Sequence, residues 1–177
     1  VNFMTFFAFV DVDHTSNAIT NAQSLDDRLV RTITPVNVNR NLSVRSHVNL
    51  GVPVSKIHSR FNLSMNFRNQ NNIAVLNETE NNIIQQTKGA AFRYSYDYKD
   101  IFDLTLGASL THQHTRYEFD QPDQKFINST YSAESNLTFL KHFSFNANFS
   151  YLVYENRELD FNQGIPLLDM SVSRFVL

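Results

Sequence analysis

His112 and His114, separated only by Gln113, are the first residues whose spacing suggests chemistry. On an extended strand, residues two apart point the same way, so both imidazoles share a face as a two-histidine metal half-site requires. They also share parity with Leu106 and Leu110. That puts them on the apolar face just above its greasy band, where solvated or headgroup-level histidines are preferred to a metal centre. Asp11 and Asp13 share a face beside His14, and two carboxylates there could hold a hard cation. Calcium needs roughly 6–8 oxygen ligands, however, and no loop offers them at a suitable spacing. A third set, Arg45, Asn66, Arg68, Arg93 and Glu134, falls on the polar parity of its strands and supplies candidate ligand contacts. No nucleophile elbow, phosphate loop or pair of catalytic carboxylates accompanies them. The chain therefore reads as a non-enzyme with no cofactor and no metal.

The elements that must position these residues are strands. Residues 42–54 alternate: Leu42, Val44, Val48, Leu50, Val52 and Val54 on one parity, Ser43, Arg45, His47 and Asn49 on the other. Phe61, Leu63, Met65 and Phe67 repeat the pattern, as do Phe92, Tyr94, Tyr96 and Tyr98, and then Phe102, Leu104, Leu106, Ala108 and Leu110. Tyr131, Ala133, Leu137 and Phe139, followed by Phe143, Phe145, Ala147 and Phe149, continue it. A period of two means one apolar and one polar face. Soluble strands peak near about 5–6 residues, whereas a tilted strand crossing hydrocarbon needs roughly 9–11. Residues 102–110 hold the pattern for that long and at ~45° tilt span about 20 Å of membrane.

Composition agrees with a polar face that lines a lumen. Charged residues are 18% of the 177, against about 25% in soluble domains, and that face is mostly amide and hydroxyl. The sequons at Asn41, Asn62, Asn77, Asn128, Asn136 and Asn148 follow from this Asn- and Ser-rich alternation and do not mark glycosylation sites. No run approaches the ~18 apolar residues of a membrane helix. A formal charge of −2 with scattered Lys and Arg argues against nucleic acid as a partner. The absence of cysteine excludes disulfide frameworks and thiolate metal sites. Tyr94, Tyr96, Tyr98, Tyr117, Tyr151 and Tyr154, near strand ends, are candidates for interface girdles.

About eight antiparallel strands are expected, at residues 1–15, 29–54, 58–76, 83–98, 101–118, 126–140, 142–156 and 165–177. Tight connections at 55–59, 98–101 and 140–142 alternate with longer polar links at 16–28, 69–82, 117–124 and 155–164. Outer-membrane barrels pair short periplasmic turns with longer outer loops, which places the tight set in the periplasm. Two segments depart from the pattern. Residues 1–12 are apolar on both parities, with Phe7 and Phe9 opposite in sense to Phe6, Ala8 and Val10, and are expected to pack against something in the lumen. Residues 29–41, with Pro35, read either as a bulge in one long strand projecting above the membrane or as a separate hairpin turn. Beginning and stopping in mid-strand, the sequence reads as an excised or incomplete piece of a longer protein.

Four blocks carry a resemblance: TPVNVNRNLSVRSHVNLGVPVSKIHSRFNLSMNF, GAAFRYSYDYKDIFDLTLGASL, QKFINSTYSAESNLTFLKHFSFNANFSYLVY and DFNQGIPLLDMSVSRFVL. In this order the chain resembles the C-terminal barrel of a family of outer-membrane β-barrel proteins of Bacteroidota close to the TonB-dependent receptors. The resemblance implies an antiparallel transmembrane barrel of roughly 22 strands, about eight of them here, preceded by a sandwich and a plug. It implies nutrient uptake across the bacterial outer membrane. The implied partners are outer-membrane lipid and, through parts not in this chain, the TonB system and a surface lipoprotein. A self-contained eight-stranded barrel with a structural or adhesive role is the competing expectation, because the size suits one.

Overall fold

The computed structural model describes all residues except 1–2, 26–27, 29, 78, 100, 119–121, 141, 157 and 175–177. Eight strands form one antiparallel sheet in chain order: β1 Thr5–Leu25, β2 Arg31–Val54, β3 Ser59–Leu76, β4 Thr79–Tyr98, β5 Phe102–Tyr117, β6 Gln124–Phe139, β7 Phe143–Asn156 and β8 Phe161–Arg174. The shortest strands have 14 residues, well beyond the soluble mode. Each neighbour is joined by a hairpin, so the topology is a plain meander. No pairing joins β1 to β8 among the described residues, so the sheet is open, which departs from the competing expectation of a self-contained eight-stranded barrel.

Directly opposed residues of an antiparallel pair share a face, and the register therefore converts sequence parity into a map. One row runs Phe6, Leu50, Leu63, Phe92, Ala108, Tyr131, Tyr151, Pro166 across all eight strands. The next is Val52, Phe61, Tyr94, Leu106, Ala133, Phe149, Leu168 across seven. On the opposite face a row reads Phe9, His47, Asn66, Gly89, Thr111, Asn128, Tyr154, Gln163. The two-faced sheet expected from alternation is thus present in register across the whole chain.

Among the described residues no second layer covers either face. Val38 is the one buried apolar residue among those described, while Leu63, Met65, Phe92, Leu106, Leu110 and Phe149 are all exposed. The accessible surface is 12929 Å². A compact monomer of 20.5 kDa would show about 8,900 Å². The described strands form a single layer, so the Phe faces do not pack on each other within this sheet.

Several boundaries differ from expectation. The link expected at 16–28 is mostly strand, as β1 runs on to Leu25 and pairs with 31–38 of β2; at 69–82 β3 runs to Leu76, as expected for that strand, while β4 begins at Thr79, earlier than expected. Residues 161–164, also expected in a link, open β8. In these segments the two parities do not differ in polarity, as Ile73, Ala74, Val75 and Leu76 show, so their pairing leaves no alternation to read. Residues 31–41 belong to β2, one long strand, with Pro35 opposite Asn21, which excludes a separate hairpin turn there; Leu29 lies outside the described residues. The irregularity sits on β1 instead. Asn17, with φ of 52°, is skipped between the pairs Ser16–Arg40 and Ala18–Val38. Beyond it β1 takes the place of β2 beside β3: Ala22 and Gln23 pair in parallel with Val75 and Leu76, and the Asn77 N–H donates to the Gln23 carbonyl at 2.8 Å. The outermost expected strand residues, 1–2 and 175–177, lie outside the described residues.

The tight connections are built from residues in the left-handed region, His58, Lys99 and Leu140. Aromatic rings gather on the apolar face at this end. Phe139 stacks on Phe143 at 5.5 Å and Tyr96 lies 6.2 Å from Phe102. Cations lie over two of the rings there, Lys99 over Tyr98 and Arg174 over Phe143. Tyr94, Tyr96, Tyr98 and Tyr151 stand on this face, whereas Tyr117 and Tyr154 share rows with Ile83 and Asn128 on the polar one. Those two are not girdle residues, because their parity is wrong.

Candidate functional site

The polar face carries all five expected contact residues, Arg45, Asn66, Arg68, Arg93 and Glu134, and all five are exposed. Their rows follow from the register. Asp11, Arg45, Arg68, Thr87 and Gln113 form one row towards the long-link end. Asn66 lies one row nearer the tight turns, between His47 and Gly89. Arg93 faces Asn62 and Gly107, and Glu134 faces Thr105 and Asn148. Arg45, Asn66 and Arg68 are therefore one group. Arg93 and Glu134 form a second, nearer the short turns.

Each group has a local reason for its geometry. Arg45 directs Nε and Nη2 at one oxygen of Asp11, at 3.0 and 2.7 Å. The expected Asp11 and Asp13 pair is thus not a cation site, since an arginine engages one of the carboxylates. Both partners are about half exposed, so this ion pair positions Arg45 and contributes ~1 kcal/mol or less to stability. Arg68 stands directly opposite Arg45 and makes no ion pair among the described residues. Asn66 reaches over Gly89, where an added Cβ would collide with its side-chain amide. Gly107 similarly leaves room for the Ser132 hydroxyl. Glycine here serves close approach, keeping the floor between the charged residues low.

Phe7, Phe9 and His47 escaped identification as a group. Their ring centroids lie 5.8 to 6.4 Å apart on the polar face beside Arg45. Phe7 is 58% and Phe9 44% exposed, so no described residue covers these two rings as the packing expected for residues 1–12 requires. The doubled apolar parity signalled the two phenyls, but His47 joins them only through the pairing of β1 with β2.

His112 and His114 do share the apolar face, with centroids 6.5 Å apart. Their cross-strand neighbours are mostly polar: Lys88 and Ile127 oppose His112, and Gln86 and Lys125 oppose His114. The ring Nε2 of His114 lies 2.9 Å from Asp123, and Lys125 donates to Glu158 at 2.9 Å. These residues mark where the apolar band ends. No cluster of three metal-ligating groups occurs among the described residues.

By sequence the chain matches no protein-family model and no curated protein. The case for function rests on the geometry of the two faces.

Proposed function

We propose that this chain is a wall segment of a large bacterial outer-membrane β-barrel, in the manner of a TonB-dependent receptor, and takes part in nutrient uptake. The observation that carries the reading is the apolar row running unbroken over eight long strands, with an amide and hydroxyl face behind it and no second layer on either side. Such a sheet exposes about half as much surface again as a compact protein of its mass, and hydrocarbon is the medium that makes the apolar half favourable. Aromatic rings with nearby cations at the tight-turn end, and the cross-strand pairs Lys88–His112 and His114–Lys125 at the other, suit the two interfaces of a bilayer. Open edges on β1 and β8 favour a larger barrel over a self-contained eight-stranded one, because an unpaired edge in lipid leaves backbone groups unsatisfied. Outer-membrane lipid is then the partner of one face and the transported solute that of the other.

Because the chain has no cysteine, the reading is open to site-directed labelling. Single cysteines at Leu106, Ala133 and Phe149, carrying nitroxides, should collide with membrane-dissolved oxygen. Cysteines at Thr105, Ser132 and Ser150 should collide with a water-soluble nickel chelate. Equal accessibility of the two sets to the chelate would end the proposal.

A further inference from the structure

The charges of the polar face are segregated by strand. β2, β3 and β4 place Arg45, Arg60, Arg68 and Arg93 on it, with Asp97 as their one carboxylate, at the tight-turn rim. β5 to β8 place Asp103, Glu134 and Asp169 there and no cation among the described residues. The cations of those strands, Arg116, Lys125 and Arg174, stand on the apolar face. β1 adds Asp11, held by Arg45, and Asp13. Arg93, Glu134 and Asp169 are exposed and make no ion pair among the described residues.

The separation of the two signs has a definite size. Arg93 faces Gly107, Gly107 faces Ser132, and Ser132 is two residues from Glu134. With ~4.8 Å between strands and ~3.3 Å per residue, the two Cα atoms lie about 12 Å apart. Gly107 and Ser132 keep the ground between them low. Asp169 follows in the Glu134 row, past Asn148. An unpaired guanidinium and an unpaired carboxylate across a flat floor match a ligand with opposite charges at its two ends.

On the reading that this face lines a lumen, we infer that the strip from Arg93 to Glu134 binds a short linear peptide with free termini. The α-carboxylate meets Arg93, whose planar fork suits it, and the α-ammonium meets Glu134. An extended chain advances ~3.3–3.6 Å per residue, so a span of about 12 Å suits roughly four residues. A neutral sugar would leave both charges unused. A compact anion would use the arginine alone.

The test measures calorimetric binding to the intact protein in detergent. The probes are tetra-alanine in free, N-acetylated, C-amidated and doubly blocked forms, with a neutral tetrasaccharide as comparison. The free peptide should bind best, and blocking either end should weaken binding about fivefold, the upper range for an exposed charge pair. Arg93→Gln should erase the difference between free and amidated peptide while keeping that between free and acetylated; Glu134→Gln should do the converse. Both side chains are exposed, and an unchanged heat-modifiable band verifies that each variant is folded. Equal binding of all four forms, tighter binding of the tetrasaccharide, or no peptide binding would overturn the inference. If nitroxide labelling still reports a lipid-facing apolar surface, only the ligand assignment falls and the barrel reading stands.

Discussion

Leu106 and Thr105 are chain neighbours on opposite faces, and placing arginine at each separates the proposed environments. Leu106 sits between Tyr94 and Ala133 in a row that is apolar across seven strands, and it is 41% exposed. Two apolar residues of its own strand flank it on each side, Phe102 and Leu104 and then Ala108 and Leu110, so it marks the middle of the band. An arginine near the bilayer midplane costs roughly 2–4 kcal/mol. Thr105 lies between Ser95 and Glu134, where an arginine gains a cross-strand carboxylate worth up to ~1 kcal/mol. The two variants should therefore differ by roughly 2–5 kcal/mol, a factor of about thirty or more in the folded ratio. Urea unfolding of the intact protein in lipid vesicles, checked by heat-modifiable gel mobility, measures this. A third variant distinguishes lipid from a protein core: Leu106→Phe should be nearly neutral against fluid chains but would overpack a core by about 1–3 kcal/mol. If Leu106→Phe destabilises to that extent, or Thr105→Arg matches Leu106→Arg, the apolar face does not meet lipid.

Three further outcomes follow from other parts of the sheet. Leu140 holds φ of 51° and is 75% exposed, so Leu140→Asn should relieve strain and stabilise by up to about 1 kcal/mol, read as a higher urea midpoint. Tyr151 covers Gly164 so closely that a Cβ there would collide with its hydroxyl; Gly164→Val should displace the ring and cost roughly 1–3 kcal/mol by the same assay. Epitope tags at Lys56, Lys99 or Leu140 should be hidden from antibody on intact cells and tags at Asn77, Pro122 or Glu158 visible, with the reverse pattern inverting the orientation.

What could be read in advance depended on whether both faces of a segment differ. Where one face is apolar, a period of two assigns every side chain, and Arg45, Asn66, Arg68, Arg93 and Glu134 fall where parity places them. Beyond the band the two faces no longer differ in polarity and the signal vanishes. Ser16 to Leu25 and the asparagines at 69, 71 and 72 carry turn-forming side chains, yet they pair because a hairpin partner lies opposite. The exchange of β1 for β2 beside β3 depends on Asn17 adopting a positive φ, a conformation that asparagine permits but does not demand. Tyr117 and Tyr154 show the converse lapse, since nearness to a strand end suggested an interface role that their parity excludes. Interstrand neighbours such as Phe9 and His47 needed the register itself.

The same register explains why an open sheet without a core can still be a defined structure. Its order comes from ladder hydrogen bonds and cross-strand pairs, each pair worth roughly 0.2–1 kcal/mol, and its stability depends on what wets each face. In water the apolar rows would drive association, as an exposed apolar patch of this size does. In hydrocarbon they are satisfied, and the unfavourable term moves to the backbone groups along the outer edges of β1 and β8. On the proposed reading those two edges, and not the faces, are where this segment must meet other strands. The doubled apolar character of β1, with Phe6, Ala8 and Val10 on one side and Phe7 and Phe9 on the other, then falls beside one of the seams where the wall continues.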